Sequence, residues 1–305
     1  MLLSTLIVEL VIVLALMSLS AELLAKGVEE LEEVMGQGLA GGVVLGTLTA
    51  LPETLIVITA VLENKGEVAL GSAVGGNVVL FTLGVGLVAM LYQWKWGRPL
   101  TMKGDYGHEL TIMGITSAVL VIPLLLGNLN PLISVALFSI YAYYVISRIR
   151  KGSRGKINIK SMIQVIVGGS IVVVLSPYFV NLISELALYS GISQAWISLA
   201  LTPIVAELEE GISSIRLALK YPAGGSTAVV SYFGSKIQNA TLLLGLVGLD
   251  FVNVRGPFLL LALISNLIGI AIVKDGKLTF TEGLLLSVIY FAMLYVAFIF
   301  QFSSI

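Results

Sequence analysis

Carboxylates inside long apolar segments are the residues of this sequence best suited to chemistry. Glu53 directly follows Pro52 within one apolar run, and Glu207 and Glu210 follow Pro203 within another. A carboxylate at mid-bilayer depth costs several kcal/mol unless it is paired, protonated or bound to an ion. A proline in a helix also frees the backbone carbonyl about one turn upstream. Each motif therefore combines oxygen atoms of the kind that Ca²⁺ prefers as ligands.

Small polar side chains near these acids could complete an oxygen-rich cation site. Thr49 lies one turn before Glu53, and Ser235 and Asn239 are four residues apart, so both can face the same side of a helix. With two glutamates they would supply ligands for a hard divalent cation. The alternative for Ser235 and Asn239 is hydrogen bonding between helices. For Glu53 it is a protonated or paired residue at a helix contact.

Three acids lie within four positions of the second motif, and they cannot all face one site. Glu207 and Glu210 are three residues apart and share a helix face, whereas Glu209 is rotated away. We expect Glu209 to be structural or to face the rim.

The elements that must position these residues are membrane-spanning helices. Hydrophobic residues make up 57% of the 305 residues and charged residues 11%, against about 25% in soluble domains. With no cysteine and a net charge of −1, the sequence excludes disulfides and gives no indication of a nucleic-acid partner. Spans of about 20 apolar residues are predicted at 2–26, 38–63, 67–93, 108–126, 129–149, 161–188, 193–219, 224–248, 256–273 and 281–302.

The basic residues favour ten spans with both termini outside the cell. The odd-numbered loops and adjoining helix ends hold 14 of the 17 basic residues, Lys65 and Arg255 lie in even-numbered loops, and Lys236 lies within span 8. Because basic residues prefer the cytoplasmic side, the alternation predicts a multi-pass protein of the plasma membrane.

The two halves of the chain share a weak pattern. Gly75-Gly76-Asn77 and Gly86 recur as Gly234-Ser235-Lys236 and Gly245, in the same order and with the same internal spacing. The prediction is a first five-helix repeat at 1–150, a basic cytoplasmic linker at 151–160, and a second repeat at 161–305. Five helices per half place the repeats in opposite orientations, which is typical of transporters.

At these motifs the sequence resembles the calcium/cation antiporter superfamily. Ala21–Gly27 looks like the stretch that opens its repeats, and Leu51-Pro52-Glu53 is similar to the sodium/calcium exchanger form. Residues 203–210 resemble the proton/calcium exchanger motif, as does Gly234-Ser235-Lys236-Ile237-Gln238. The resemblance implies an all-α integral membrane fold of ten helices in two inverted repeats, and alternating access by movement of spans 1 and 6. It also implies Glu53 and Glu210 as the paired calcium (metal) ligands.

The departures from the family pattern favour protons over sodium as the counter-ion. Leu80 stands where a polar residue is usual, Gly76 replaces a serine, Glu207 replaces an asparagine, and Lys236 places a cation within span 8. These changes remove oxygen ligands that sodium would need. Lys236 either tunes the coupling or simply pairs with Glu207 or Glu209. The remaining residues that could tune coupling are Asn77 and Gln238.

The function expected from these arguments is the antiport of Ca²⁺, or a similar divalent cation, against protons by alternating access. Sodium-coupled Ca²⁺ exchange is one alternative; a cation channel or an intramembrane acid-dependent enzyme are others from different classes. We expect no enzyme activity and no cofactor. The partners expected are inorganic cations and membrane lipid, without nucleic acid or an obligatory protein partner.

Overall fold

The computed structural model describes residues 3–35, 50–103, 107–148, 159–254 and 256–301, and these are almost entirely helical. A two-residue antiparallel ladder, β1 (Leu100–Thr101) with β2 (Lys277–Leu278), joins two loops. The helices are Leu3–Met35 (α1), Leu51–Leu62 (α2), Gly66–Val79 (α3), Val85–Trp96 (α4), Gly107–Leu126 (α5), Pro131–Arg148 (α6), Ile159–Ser190 (α7), Gln194–Ala206 (α8), Leu208–Lys220 (α9), Gly224–Gln238 (α10), Leu244–Leu249 (α11), Phe258–Asp275 (α12) and Phe280–Phe300 (α13).

The helices have the length and surface of an integral membrane protein. Five segments among the described residues are long and apolar enough to cross a bilayer: Leu3–Val28, Gly66–Trp96, Gly107–Leu126, Ile159–Ser190 and Phe280–Phe300. Shorter apolar helices lie at Leu51–Leu62, Pro131–Ser147, Gln194–Ala206 and Phe258–Ile272. Large apolar side chains such as Leu125 and Leu132, each at least 80% exposed, cover the outer surface. A surface of this kind is suited to contact with lipid, and the predicted all-α multi-pass membrane class is confirmed.

Helix bounds agree with the predicted spans at 67–93, 108–126, 129–149, 161–188, 224–248, 256–273 and 281–302 to within three residues. The first helix continues to Met35, nine residues beyond its predicted end. Of the predicted span 38–63, only the part from residue 50 onward is described.

The predicted span 193–219 agrees with residues 194–220 of the structure, in which the chain breaks at Glu207 into α8 and α9. Pro203 has no N–H with which to bond the Leu199 carbonyl, so the hydrogen-bond ladder of α8 is already interrupted. Glu207 has φ −109° and ψ −10°, well away from the ideal values of a helix interior. Its N–H still bonds the Pro203 carbonyl at 2.9 Å, and its carbonyl accepts from the Gly211 N–H at 2.9 Å. Glu207 is thus the residue that connects two short helices.

Two π-helical turns, at Leu80–Gly84 and Asn239–Leu243, interrupt the third and eighth predicted spans. They occupy equivalent positions in the two halves, because each begins at the same distance along the chain from its glycine motif. Each contains a threonine bonded to the carbonyl four residues earlier: Thr82 Oγ1 to Val78 O at 2.6 Å and Thr241 Oγ1 to Ile237 O at 2.5 Å. Turns of this type occur frequently at functional sites.

Small residues bring the central helices into close contact. A Cβ built on Gly75 of α3 would lie 2.6 Å from the Leu199 carbonyl oxygen of α8, and Ser198 Oγ donates to Val68 O at 2.8 Å. α1 and α7 likewise meet at Gly27 and Gly168. Close backbone approach at small residues is how helices associate in membranes. The Leu199 carbonyl, which Pro203 leaves without its helical donor, lies against α3.

Candidate functional site

Glu53 lies in the first turn of α2, directly after Pro52, and only 1% of its surface is exposed. The partial positive charge of a helix N-terminus favours a carboxylate at this position. The next residue, Thr54, donates from Oγ1 to the Ala50 carbonyl, four residues earlier, at 2.8 Å. No donor among the described residues bonds Glu53 Oε1 in good geometry. This oxygen is therefore available to a ligand.

Glu207, at the break between α8 and α9, brings a second carboxyl to Glu53. Its side chain is 7% exposed and contacts the Glu53 carboxyl. Asn239 Nδ2 donates to Glu207 Oε1 at 3.0 Å, whereas Asn239 Oδ1 has no partner among the described residues. Asn239 is the first residue of the second π-helical turn. One hydrogen bond between the Asn239 and Glu207 side chains thus connects the second π-helical turn to the break between α8 and α9.

Gly76 of α3 leaves the space in which these groups converge. A Cβ built on Gly76 would lie 2.6 Å from Glu207 Oε1, 2.5 Å from Asn239 Nδ2, and equally close to Glu53 Oε1. Real Cβ atoms do not approach other atoms so closely. Three polar atoms from α2, the α8–α9 break and the second π turn therefore face one open patch of the α3 backbone.

Glu210 extends the acidic cluster along the first turn of α9. Ser235 Oγ of α10 donates to Glu210 Oε2 at 2.7 Å, and the Glu210 and Glu207 side chains interact with each other. Glu210 is half-buried, so it lies nearer the surface than Glu53 or Glu207. Glu209 is also half-buried. The three acids Glu53, Glu207 and Glu210 form a row in which Glu207 is the middle member.

Lys236 lies beside this row but does not form the ion pair that one interpretation expected with Glu207 or Glu209. The lysine is fully buried, and its Nζ donates to Asn77 O at 2.8 Å, to Asn77 Oδ1 at 2.6 Å and to Ser265 Oγ at 2.7 Å. The ammonium also lies 5.0 Å from the centre of the Phe81 ring. Within the described part of the chain, no carboxylate comes within 4.0 Å of it.

The other predicted site residues have different positions. Gln238 is buried and bridges two helices, donating from Nε2 to Thr54 Oγ1 at 3.3 Å and accepting from Tyr141 OH at 3.2 Å. Asn77 is the main partner of Lys236. Thr49 lies outside the described residues.

Ser265 of α12 was missed by the sequence reasoning, although it contacts both Lys236 and the Asn77 carbonyl. A polar pair, Ser265-Asn266, interrupts the otherwise apolar run 256–273, and that interruption was the available signal. Both residues are buried in the structure.

The chemistry of this cluster is that of a small oxygen-lined site. Among the described residues, no group of three or more acidic, histidine or cysteine side chains is arranged to hold a metal ion. A cation held here would therefore need neutral oxygen atoms, such as the Asn239 amide oxygen and the Ser235 hydroxyl, beside two carboxylates. Ligand sets that mix carboxylates with neutral oxygens are typical of hard cations.

The family model for sodium/calcium exchanger proteins matches residues 5–150 and 160–299, which is nearly the whole chain. The chain belongs to this family. A rice protein (Oryza sativa subsp. japonica), "Sodium/calcium exchanger NCL1", is 33% identical over 114 residues, covering 34% of this chain and 20% of that relative. The chain thus matches about one fifth of that relative's length. The family is one of exchangers, and this assignment confirms the prediction of a transporter instead of an enzyme.

Solved structures of exchangers have the same fold. The H⁺/Ca²⁺ exchanger CAX is similar with a TM-score of 0.81 and 17% identity, over 97% of this chain and 84% of that one. Native YfkE has a TM-score of 0.75 at 20% identity, over 96% and 92% of the two chains. The sodium-calcium exchanger NCX_Mj has a TM-score of 0.67 at 19% identity, over 96% and 99%. At these identities the likeness concerns the fold, and the predicted resemblance to calcium/cation antiporters is confirmed.

Proposed function

We propose that this protein exchanges Ca²⁺, or a similar divalent cation, against protons, with Glu53 and Glu210 as its charged ligands. The observation that carries the proposal is the convergence of Glu53, Glu207 and Asn239 on the open face of Gly76. Buried carboxylates in contact repel each other when ionised, so the cluster requires either protons or a bound cation. Competition of the two for the same oxygens is the basis of antiport.

The ligand set proposed for the divalent cation combines charged and neutral oxygens. In the described part of the chain, no donor bonds Glu53 Oε1 in good geometry, and none bonds Asn239 Oδ1. Glu210 is held by the Ser235 hydroxyl, which fixes the orientation of its carboxyl. Because Ca²⁺ takes six to eight oxygens, neutral side-chain oxygens, backbone carbonyls and water complete the set. Thr49, one turn before Glu53, remains a further candidate ligand.

Proton coupling is favoured over sodium coupling by what surrounds the acids. Gly76 and Leu80 contribute no side-chain oxygen on the α3 side, where sodium would need neutral ligands. Glu207 instead adds a third carboxylate between Glu53 and Glu210. A row of carboxylates in contact accepts protons as a substitute for a cation. Sodium-coupled exchange is the second candidate, because the family as a whole is named for it.

The architecture that we propose for transport is ten spans in two inverted repeats, at 1–150 and 161–305, joined by a cytoplasmic linker at 151–160. The two π-helical turns support this division, because they and their flanking helix ends occupy equivalent positions in the two halves. Broken helices that meet at a central site are typical of inverted-repeat transporters. Both termini would lie outside the plasma membrane, and α1 and α7 would move to alternate access.

The test is Ca²⁺ uptake into proteoliposomes under single-ion gradients. In sodium-free buffer, a pH gradient across the vesicle membrane should drive Ca²⁺ uptake, and a protonophore that collapses the gradient should stop it. At symmetric pH, a sodium gradient should give no uptake above that of empty vesicles. A channel would pass Ca²⁺ without either gradient. Robust uptake with sodium alone, and none with the pH gradient, would establish sodium coupling and refute the proposal.

A further inference from the structure

Lys236 is a buried cation that the exchange of a divalent ion does not evidently require. It is the one lysine or arginine among the fully buried side chains of the described residues. Burial of an ammonium is costly unless its charge and its three donors are satisfied. Such a group is retained only where the surrounding structure compensates it.

The surroundings of the Lys236 ammonium have the form of a ligand shell for a monovalent cation. Its three donors all bond neutral oxygens, Asn77 O, Asn77 Oδ1 and Ser265 Oγ, at 2.6 to 2.8 Å. The Phe81 ring, 5.0 Å away, adds a face that attracts cations. Backbone carbonyl, amide and hydroxyl oxygens are also the ligands that a free hard cation would use. Ser265 Oγ bonds the Asn77 carbonyl as well, so the shell is held together independently of the lysine.

The position of this shell relates it to the cation cluster. Lys236 and Asn77 occupy equivalent positions in the two halves, as the two π-helical turns do, so the lysine bonds its own counterpart. Lys236 directly follows Ser235, which holds Glu210, and Asn77 directly follows Gly76. The positive charge of Lys236 acts on Glu207, the middle acid of the row. The shell and the ammonium that fills it thus lie next to the acids.

We propose that the Lys236 ammonium is a covalently tethered cation, which occupies an oxygen shell suited to Na⁺ or K⁺ and so makes the exchanger independent of both ions. The role in exchange rests on the proposed function, whereas the occupancy of the shell does not. The lysine ammonium takes the place that a free monovalent ion would occupy in this shell. Removing the side chain leaves an oxygen shell beside three acids, into which a small cation can bind.

Two substitutions separate the charge from the space that the side chain fills. Lys236→Ala removes both, so it opens the shell. Lys236→Met removes the charge but keeps a linear side chain of similar length in place. Lys65→Ala is the matched control, because it removes a lysine from another place in the fold. Lys65 lies between α2 and α3, where it forms an ion pair with Glu63. A ligand that binds only the folded state raises its stability in proportion to ln(1 + [L]/Kd).

The measurement is the thermal unfolding temperature of the purified protein in detergent, titrated with NaCl or KCl against N-methylglucamine chloride at constant ionic strength. Lys236→Ala should show a saturable rise with Na⁺ or K⁺. The wild type, Lys236→Met and Lys65→Ala should show none. Equal titration curves for Lys236→Ala and wild type would overturn the proposal, and so would saturable Na⁺ or K⁺ stabilisation of the wild type.

A second measurement uses only the wild type, in case Lys236→Ala does not fold. Its Ca²⁺ uptake under a pH gradient should change less than twofold when all Na⁺ and K⁺ are replaced by N-methylglucamine on both sides. A loss of uptake that micromolar to millimolar Na⁺ or K⁺ restores would contradict a tethered cation. If no pH-driven uptake occurs at all, the proposed function fails, while the unfolding titration still decides the occupancy of the shell.

Discussion

Replacing Gly76 with alanine should impair cation binding while leaving the fold intact. The added methyl would meet Glu53 Oε1, Asn239 Nδ2 and Glu207 Oε1, all under 3 Å away. All three belong to side chains, so they can move aside without displacing a helix. In helical backbone, alanine is also favoured over glycine by about 1 kcal/mol, which offsets part of the strain. The site should therefore be disrupted more than the stability of the protein.

The magnitude follows from the bonds that the methyl group must break. Moving Asn239 from Glu207 removes a hydrogen bond of 3.0 Å to a carboxyl. A bond of this kind contributes about 1.5–3 kcal/mol. Because each 1.4 kcal/mol changes an equilibrium constant about tenfold, the KM for Ca²⁺ should rise roughly 10- to 100-fold. The assay is initial Ca²⁺ uptake into proteoliposomes across a range of Ca²⁺ concentrations, together with the thermal unfolding temperature.

Two other glycines provide matched controls for Gly76→Ala. At Gly75 the added methyl would lie 2.6 Å from the Leu199 carbonyl oxygen, a backbone atom of another helix, so Gly75→Ala should lower stability by about 1–3 kcal/mol. At Gly114 nothing lies within 4 Å, so Gly114→Ala should leave uptake unchanged. An unchanged KM in Gly76→Ala, with normal folding, would refute the assignment of this space to the cation.

Two further predictions concern the acids and the topology. Glu53→Gln and Glu210→Gln should each reduce Ca²⁺ uptake to the level of empty vesicles without preventing membrane insertion, because each removes a charged ligand. Glu209→Gln should retain most uptake. If Glu209 is essential for uptake and Glu210 is not, the proposed roles of these two residues of α9 must be exchanged. A cysteine introduced as Ser153→Cys in this cysteine-free chain should resist an impermeant thiol reagent in intact cells, since the basic residues of 151–156 are expected to be cytoplasmic. Rapid labelling of intact cells, with no increase after permeabilisation, would overturn the orientation.

The sequence by itself determined the membrane class, most helix bounds and the acidic motifs. Long apolar runs specify spanning helices because a bilayer offers no partner for unbonded backbone groups. The offset between the glycine motifs of the two halves is also the separation of the two π-helical turns. Glu53 and Glu210 stand out because an acid within an apolar run is costly unless it has a function. These inferences depend on local composition and spacing, which are visible in one chain.

Only the tertiary structure decided which side chains meet. Pro203 indicated an interruption, but only the structure shows that the helix breaks four residues later, at Glu207. That Lys236 bonds Asn77 and Ser265, and not an acid, depends on contacts between helices that are far apart in sequence. Helical periodicity specifies which face of a helix is polar, but not which helix lies opposite. Partner choice is set by the packing of small residues and by the energetic need to satisfy each buried polar group.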